Sequence, residues 1–294
     1  MSTAQYRPST VEAPPADGAV TGSLGAEQHE PGTDADRASV RLAPCLVGAV
    51  VLDADRVLTD SQPLRVIAWQ DTLDAYLAQY AHVTGRPQGT LDATSDLPAH
   101  LTGRLDTDIA AALLAARPVA ADLAAQHLGP SDEDLLRLLV RHEDQRFEEL
   151  LRSQGAPPRT GAVRLLLALR AAGIRTAAVS TSLRGELLLR RAGLADLVDL
   201  CVDAGDAAHY GLAGPPDPGL YELAMRLLRT APERSVLLVG TPLGTAAGMR
   251  AGFGRTAAVT FAHDTVAFEG EEPPVPWPGP EPLVCGLGAV TVAE

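Results

Sequence analysis

Lysine is absent from this chain, and aromatic residues and cysteines are scarce. All 24 basic residues are arginines, against 37 acidic residues, so the formal net charge is −13. This acidic balance argues against a surface that binds nucleic acid or an anionic membrane. A site that needs a cation must use arginine, whose planar guanidinium is not equivalent to an ammonium group. With 4% aromatic residues, the core must be built mainly from Ala, Leu and Val.

Several classes of protein are excluded by missing patterns. The three cysteines, Cys45, Cys201 and Cys285, are far apart and match no metal spacing, so we expect reduced, mostly buried thiols. The N-terminal region lacks the basic segment and following apolar stretch that are typical of a signal peptide. No apolar run reaches the roughly 18 residues that a transmembrane helix needs. The seven histidines show no metal-ligand spacing, and no glycine-rich nucleotide-binding loop is present. We therefore expect a cytoplasmic protein.

The composition changes along the chain in three steps. Residues 1–41 are rich in Pro, Gly and acidic residues without an apolar period, which predicts a disordered tail. Residues 61–158 read as helices, one of them starting at Ser131 with acidic residues in its first turn. Residues 159–294 alternate between helix and strand, which predicts a parallel sheet with helices on both faces.

The alternating part allows its elements to be predicted singly. The predicted helices are 161–172, 183–192, 220–229 and 244–251, and the predicted strands are 174–180, 197–202, 235–239, 256–260 and a final edge strand at 283–292.

The stretch from Val47 to Ser61 carries the strongest candidate for chemistry. A short valine-rich run ends at Asp53, with Asp55 two residues later, which predicts a buried parallel strand. Active sites of open α/β sheets lie beyond the carboxyl ends of the strands. Asp53 and Asp55 are therefore candidates for a nucleophile and a general acid/base. The alternative is that two polar residues simply close a strand.

The run D-A-D-R-V-L-T-D-S from Asp53 to Ser61 resembles motif I of the haloacid dehalogenase superfamily, especially its β-phosphoglucomutase and sugar-phosphatase branch. That motif is usually D-x-D-G-V-L-x-D-[ST], so Arg56 replaces a glycine. The resemblance implies a Rossmann-like parallel α/β core, here 42–60 with 159–294, and an inserted α-helical cap at 61–158. It also implies that Asp53 attacks phosphorus, that Asp55 shuttles the proton and that both hold Mg²⁺.

Two further segments resemble phosphate-binding parts of the family. Ser180 and Thr181 end a strand before a helix, as in motif II, where a hydroxyl and backbone N–H groups hold the phosphate. Arg184 follows them and could donate to an anion. Arg104 matches an arginine that grips phosphate from the cap in sugar phosphomutases. The alternatives are helix caps for Ser180 and Ser182 and a solvated arginine at the start of a helix for Arg104.

Motifs III and IV depart from the family pattern. The motif III lysine position is Pro215, and a proline lacks even a backbone N–H. The two motif IV acids are replaced by Val239 and Gly240. Mg²⁺ needs carboxylate oxygens, so the resemblance implies weak Mg²⁺ binding unless another acid, such as Asp203 or Asp206, lies close to Asp53.

The sequence leaves two functions open. One is a catalytically impaired protein that binds a small phosphorylated ligand or acts as a regulator. The other is a working phosphatase or phosphomutase, with Asp53 as nucleophile and Arg56, Arg65 or Arg184 replacing the lysine. We expect no nucleic-acid or membrane partner, and the sequence names no protein partner.

Overall fold

The structure is a computed structural model that describes residues 40–87, 89–90, 92, 97–101, 103–117, 132–261 and 283–293. The predicted tail, apart from its last two residues, lies outside the described part. No helix among the described residues has the length and apolar character needed to cross a membrane.

The centre of the molecule is a six-stranded, wholly parallel sheet with the order β4-β3-β2-β5-β6-β7. The central strand β2 is buried along its whole length, and one apolar cluster lies on each face of the sheet. Two-sided burial explains the continuous apolar runs in the sequence. The predicted α/β fold is confirmed. The strands are β2 (Ala49–Asp53), β3 (Arg175–Val179), β4 (Leu200–Val202), β5 (Ser235–Val239), β6 (Arg255–Thr260) and β7 (Leu283–Gly286).

The insertion after β2 is helical, as predicted, and has an apolar cluster of its own around Trp69. The start of its last helix differs from the prediction. Asp132, not Ser131, is the N-cap, because the Asp132 carboxylate accepts a hydrogen bond from the N–H of Leu135 at 2.9 Å. The helices are α1 (Gln62–Thr84), α2 (Pro98–Leu101), α3 (Asp106–Ala115) and α4 (Glu133–Gln154).

Among the described residues, five α-helices lie between the insertion and β6. One of them, α7, was not predicted, because its seven residues carry too few large apolar side chains for a helical period. The helices are α5 (Ala162–Ala171), α6 (Gly185–Arg191), α7 (Ala204–Tyr210), α8 (Gly219–Leu228) and α9 (Pro242–Arg250).

The predicted final strand at 283–292 is wrong as a single element. A 3₁₀ turn at Leu287–Ala289 divides it, so that β7 pairs with β6 and β8 (Val290–Val292) leaves the central sheet. Strand β8 pairs in parallel with β1 (Val40–Leu42), whose first two residues fall in the predicted tail. Val40 and Leu42 are fully buried in the core, which the polar composition of the preceding residues conceals.

The two chain connections to the cap run side by side. Thr59 and Pro158 form an antiparallel bridge, and the N–H of Arg159 donates to the carbonyl of Leu58 at 2.9 Å. Arg159 also pairs with Asp60 at 3.0 Å. This arrangement supports cap boundaries near residues 60 and 159, which stay predictions.

The two cysteines with described side chains are free thiols. Cys201 is half-buried, and burial raises the pKa of its thiol. Cys45 is exposed, contrary to the expectation of mostly buried thiols.

Candidate functional site

The two aspartates lie where the direction of chain connection changes across the sheet. From β2 the chain moves outward to β3 and β4, and it then returns to place β5 on the opposite side of β2. Ligands of open α/β folds bind at this point, beyond the carboxyl ends of the strands. Asp53 ends β2, and Gly240 follows the end of β5.

Asp53 accepts hydrogen bonds from three backbone N–H groups. One carboxylate oxygen, Oδ1, caps the π-helical turn Ala54–Leu58 and accepts from Asp55 at 3.0 Å and from Arg56 at 3.3 Å. The other oxygen, Oδ2, accepts from Gly240 at 3.3 Å. Burial, and next Asp55, raise the pKa of Asp53 to about 6, while Arg56 opposes the rise. Asp53 is therefore mainly ionised at neutral pH.

Asp55 is held by two serines. The Ser180 hydroxyl donates to Asp55 Oδ2 at 2.6 Å, and the Ser61 hydroxyl lies 3.3 Å from Oδ1 and 3.1 Å from the backbone carbonyl of Asp55. The N–H of Ser182 donates to the oxygen of Ser180 at 3.1 Å. The Ser180 hydroxyl, which the sequence suggested as a phosphate ligand, is engaged with Asp55 and orients that carboxylate.

Core and cap enclose a cavity above the two aspartates. The cavity is about 20 Å³ in volume, room for one or two water molecules. The cap is close to the core here: a Cβ atom on Gly103 would come within 2.7 Å of Thr241 Oγ1. The lining residues are Asp53, Asp55, Arg56, Gln62, Arg65, Leu101, Gly103, Val179, Thr181, Pro215, Tyr221 and Thr241.

Behind the cavity, Arg65 belongs to a buried charged cluster in the cap. Arg65 forms an ion pair with Asp106, and Glu143 is fully buried with no hydrogen-bond partner for either carboxylate oxygen among the described residues. Burial alone would lower the pKa of Arg65, but Asp106 and Glu143 raise it. Burial, and next Asp106, raise the pKa of Glu143 well above its ordinary value. Sequence reasoning missed Asp106 and Glu143, which look like ordinary solvated acids of a helix.

The other predicted phosphate ligands occupy different places. Thr181 lines the cavity, whereas Arg104 and Arg184 are absent from its described lining. Arg184 pairs with Asp144 at 2.6 Å and with Glu148 at 2.9 Å, both in α4, and so links core to cap. Their roles in ligand binding stay predictions.

Arg56 lies directly against Gly240. A Cβ atom built on Gly240 would be 2.6 Å from Arg56 Cβ and 3.5 Å from its Cδ and Nε atoms. Any side chain at position 240 would therefore collide with Arg56. The neighbouring Val239 is fully buried in the apolar cluster on one face of the sheet.

These residues do not fit a family-type Mg²⁺ site. Mg²⁺ requires a nearly octahedral shell of oxygens, but position 239 is in the core and position 240 has no side chain. Asp203 and Asp206 do not replace the missing acids, because they cap α7 reciprocally and are not among the described residues that line the cavity. Within the described ranges, no group of three or more His, Cys, Asp or Glu side chains has metal-binding geometry.

Comparison with known proteins agrees with the fold. Residues 47–240 match the model of the family described as haloacid dehalogenase-like hydrolase. The β-phosphoglucomutases of Mycobacterium bovis and Mycobacterium tuberculosis are each 30% identical to the chain over 228 residues, 78% of this chain and 87% of theirs.

Solved structures share the fold. CbbY from Rhodobacter sphaeroides, in complex with phosphate, superimposes with a TM-score of 0.60 at 22% identity over 82% of this chain and 95% of that chain. The β-phosphoglucomutase of Clostridium difficile gives a TM-score of 0.57 at 18% identity over 75% and 88%. The chain belongs to the haloacid dehalogenase-like hydrolase family, in the branch of the β-phosphoglucomutases and sugar phosphatases.

Proposed function

We propose that this chain binds a phosphorylated sugar or a similar small phosphorylated ligand beside Asp53, and that its phosphoryl transfer is impaired. The protein then acts through binding or regulation rather than turnover. The observation that carries the proposal is the charge environment of Asp53. Pro215 lines the cavity in place of the lysine, and no acid stands at position 240.

The physical argument concerns charge neutralisation. Catalysis of phosphoryl transfer consists almost entirely of positioning and electrostatic stabilisation. An ionised Asp53 that approaches a phosphate dianion needs a lysine and a held cation between the two anions. Loss of one electrostatic element typically lowers a rate by about 10²–10³-fold. The loss of both supports a protein that retains the pocket but not efficient chemistry.

Ligand binding is supported by the hydroxyl and guanidinium groups that line the cavity. Thr181 lines it at the carboxyl end of β3, and Arg56 and Arg65 contribute cationic side chains. A guanidinium is well suited to phosphate because it donates two parallel hydrogen bonds. The cavity has lining residues from both the core and the cap, so the proposed ligand is held between them.

A working phosphatase or phosphomutase is the second candidate. The hydrogen bonds from Ser180 and Ser61 to Asp55 favour it, because they hold this side chain as a general acid/base would be held. In that case Asp53 attacks phosphorus, Asp55 gives its proton to the leaving oxygen, and an arginine of the cavity supplies the missing charge.

The two candidates are separated by measuring turnover and binding on the same panel of sugar phosphates. We expect calorimetric binding with turnover close to background, and little further loss in Asp53→Asn. Efficient turnover that Asp53→Asn abolishes would establish the enzyme and refute the impaired function. Absence of binding across the panel would refute a phospho-ligand.

A further inference from the structure

The contact between Arg56 and Gly240 joins two departures from the family motifs that are 184 positions apart in sequence. In the motifs of the family, the residue that corresponds to position 56 is usually glycine and the one that corresponds to position 240 is usually an acid. In this chain the larger side chain stands at 56 and the glycine at 240. The 2.6 Å distance from a Cβ at 240 to Arg56 Cβ shows that the arginine at position 56 requires a glycine at position 240. A glycine at 240 gives Arg56 its space.

The path of the Arg56 side chain follows from the same geometry. Its Cβ, Cδ and Nε atoms all lie within 3.5 Å of the position where a side chain at 240 would begin. Arg56 is 9% exposed and lines the cavity together with Asp53. The cationic side chain thus occupies the space from which a motif IV carboxylate would reach a metal.

The charges around the cavity give Arg56 a distinct role. Arg65, the other cation of the described lining, forms its ion pair with Asp106 of the cap. Arg56 lines the cavity beside Asp53 and lowers the pKa of Asp53 against the effect of burial. Arg56 is therefore placed to offset the charge of Asp53 when an anion binds next to it.

We propose that Arg56 takes the place of the divalent cation, so that the cavity binds the phosphate group of its ligand without Mg²⁺. This proposal rests on the proposed function, since it names how the phospho-ligand is held. The ligand class is a phosphate monoester dianion, held by a guanidinium that is part of the chain. The covalently attached charge explains how a pocket without the lysine and the motif IV acids can still hold an anion.

The test is calorimetric titration of the full chain with inorganic phosphate, once with EDTA and once with Mg²⁺. We expect the same Kd within about twofold in both conditions. Arg56→Gln should weaken binding by about 10- to 100-fold, because it removes a charged hydrogen-bond donor. Arg137→Gln is the matched control, since Arg137 is 61% exposed on a cap helix and should leave the Kd unchanged.

Folding of the variants is checked by their melting temperatures. Arg56→Gly, which restores the usual family residue and creates no steric conflict, serves as the second variant and should lose affinity to a similar extent. Phosphate binding that requires Mg²⁺ and is indifferent to both Arg56 variants would overturn the inference while the phospho-ligand function stands. No phosphate binding in either condition would overturn the inference, whereas the proposed function is refuted only if the panel of sugar phosphates also fails to bind.

Discussion

Arg56 and Gly240 are in contact such that a single added methyl group at position 240 would lie 2.6 Å from Arg56 Cβ. The contact lies at the switch point of the sheet, between the ends of β2 and β5. It connects the altered motif I to the altered motif IV, because a side chain at position 56 leaves no space for one at position 240. Four experiments follow from this contact and from the surrounding structure.

The first prediction concerns the contact itself. Gly240→Ala should lower the free energy of unfolding by about 1–3 kcal/mol, since the backbone-attached Cβ of Arg56 cannot move aside easily. Arg56→Gly should restore most of the loss in the double variant, measured by denaturant unfolding. Arg56→Ala is the control, because it keeps the Cβ and should restore little. Equal rescue by both variants would show that the Cβ contact is not the cause.

The second prediction concerns repair of catalysis. Pro215→Lys with Gly240→Asp should give little phosphatase activity while Arg56 is present, because Arg56 blocks the new aspartate. Addition of Arg56→Gly should produce Mg²⁺-dependent hydrolysis of sugar phosphates that Asp53→Asn abolishes. Val239 is left unchanged, since a glutamate there would bury a charge in the apolar core. Equal activity with and without Arg56→Gly would contradict the steric argument.

The third prediction concerns pH. The pKa of Glu143 is raised above its ordinary 4.5, so the folded state keeps a proton that the unfolded state releases. Stability from this group therefore falls as pH rises from about 4.5 through the raised pKa. Glu143→Gln cannot ionise, so it should be more stable relative to wild type at pH 8 than at pH 5. Denaturant unfolding at both pH values measures this difference, and a pH-independent one would contradict the prediction.

The fourth prediction concerns the N-terminus. Removal of residues 1–38 should leave the melting temperature nearly unchanged, because their composition lacks a core-forming pattern. Removal of residues 1–42 deletes β1 and the buried Val40 and Leu42, which contribute about 3–6 kcal/mol by burial. Calorimetry should therefore show a drop of about 6 °C or more only for the longer deletion. A similar drop in both would show that the first 38 residues pack on the body.

Local pattern was sufficient for most of the fold. The strand Ser235–Val239 agrees with its prediction at both ends, because a short apolar run with polar flanks has few other interpretations. The strands near the two ends of the described chain could not be predicted from local pattern. Strands β1 and β8 have three residues each and gain their stability from pairing with each other, about 250 residues apart in sequence.

The residues of the candidate site could be predicted from the sequence, but most of their contacts could not. Asp53, Asp55 and the departures at Pro215, Val239 and Gly240 are visible in the sequence, because motif spacing is local. The residues that contact them in space are not visible in the sequence. Only the structure shows that Ser180 is engaged with Asp55 and that Arg184 pairs with acids of α4.

The sequence by itself determined the parallel α/β core, the helical insertion and the pair of aspartates at the end of the first core strand. Periodicity and motif spacing are properties of contiguous residues, and for that reason they can be read without coordinates. The tertiary structure alone decided which arginine stands beside Asp53 and why position 240 is glycine. Steric exclusion and Coulomb interaction depend on distance in space, and the sheet brings residues 56 and 240 together across most of the chain.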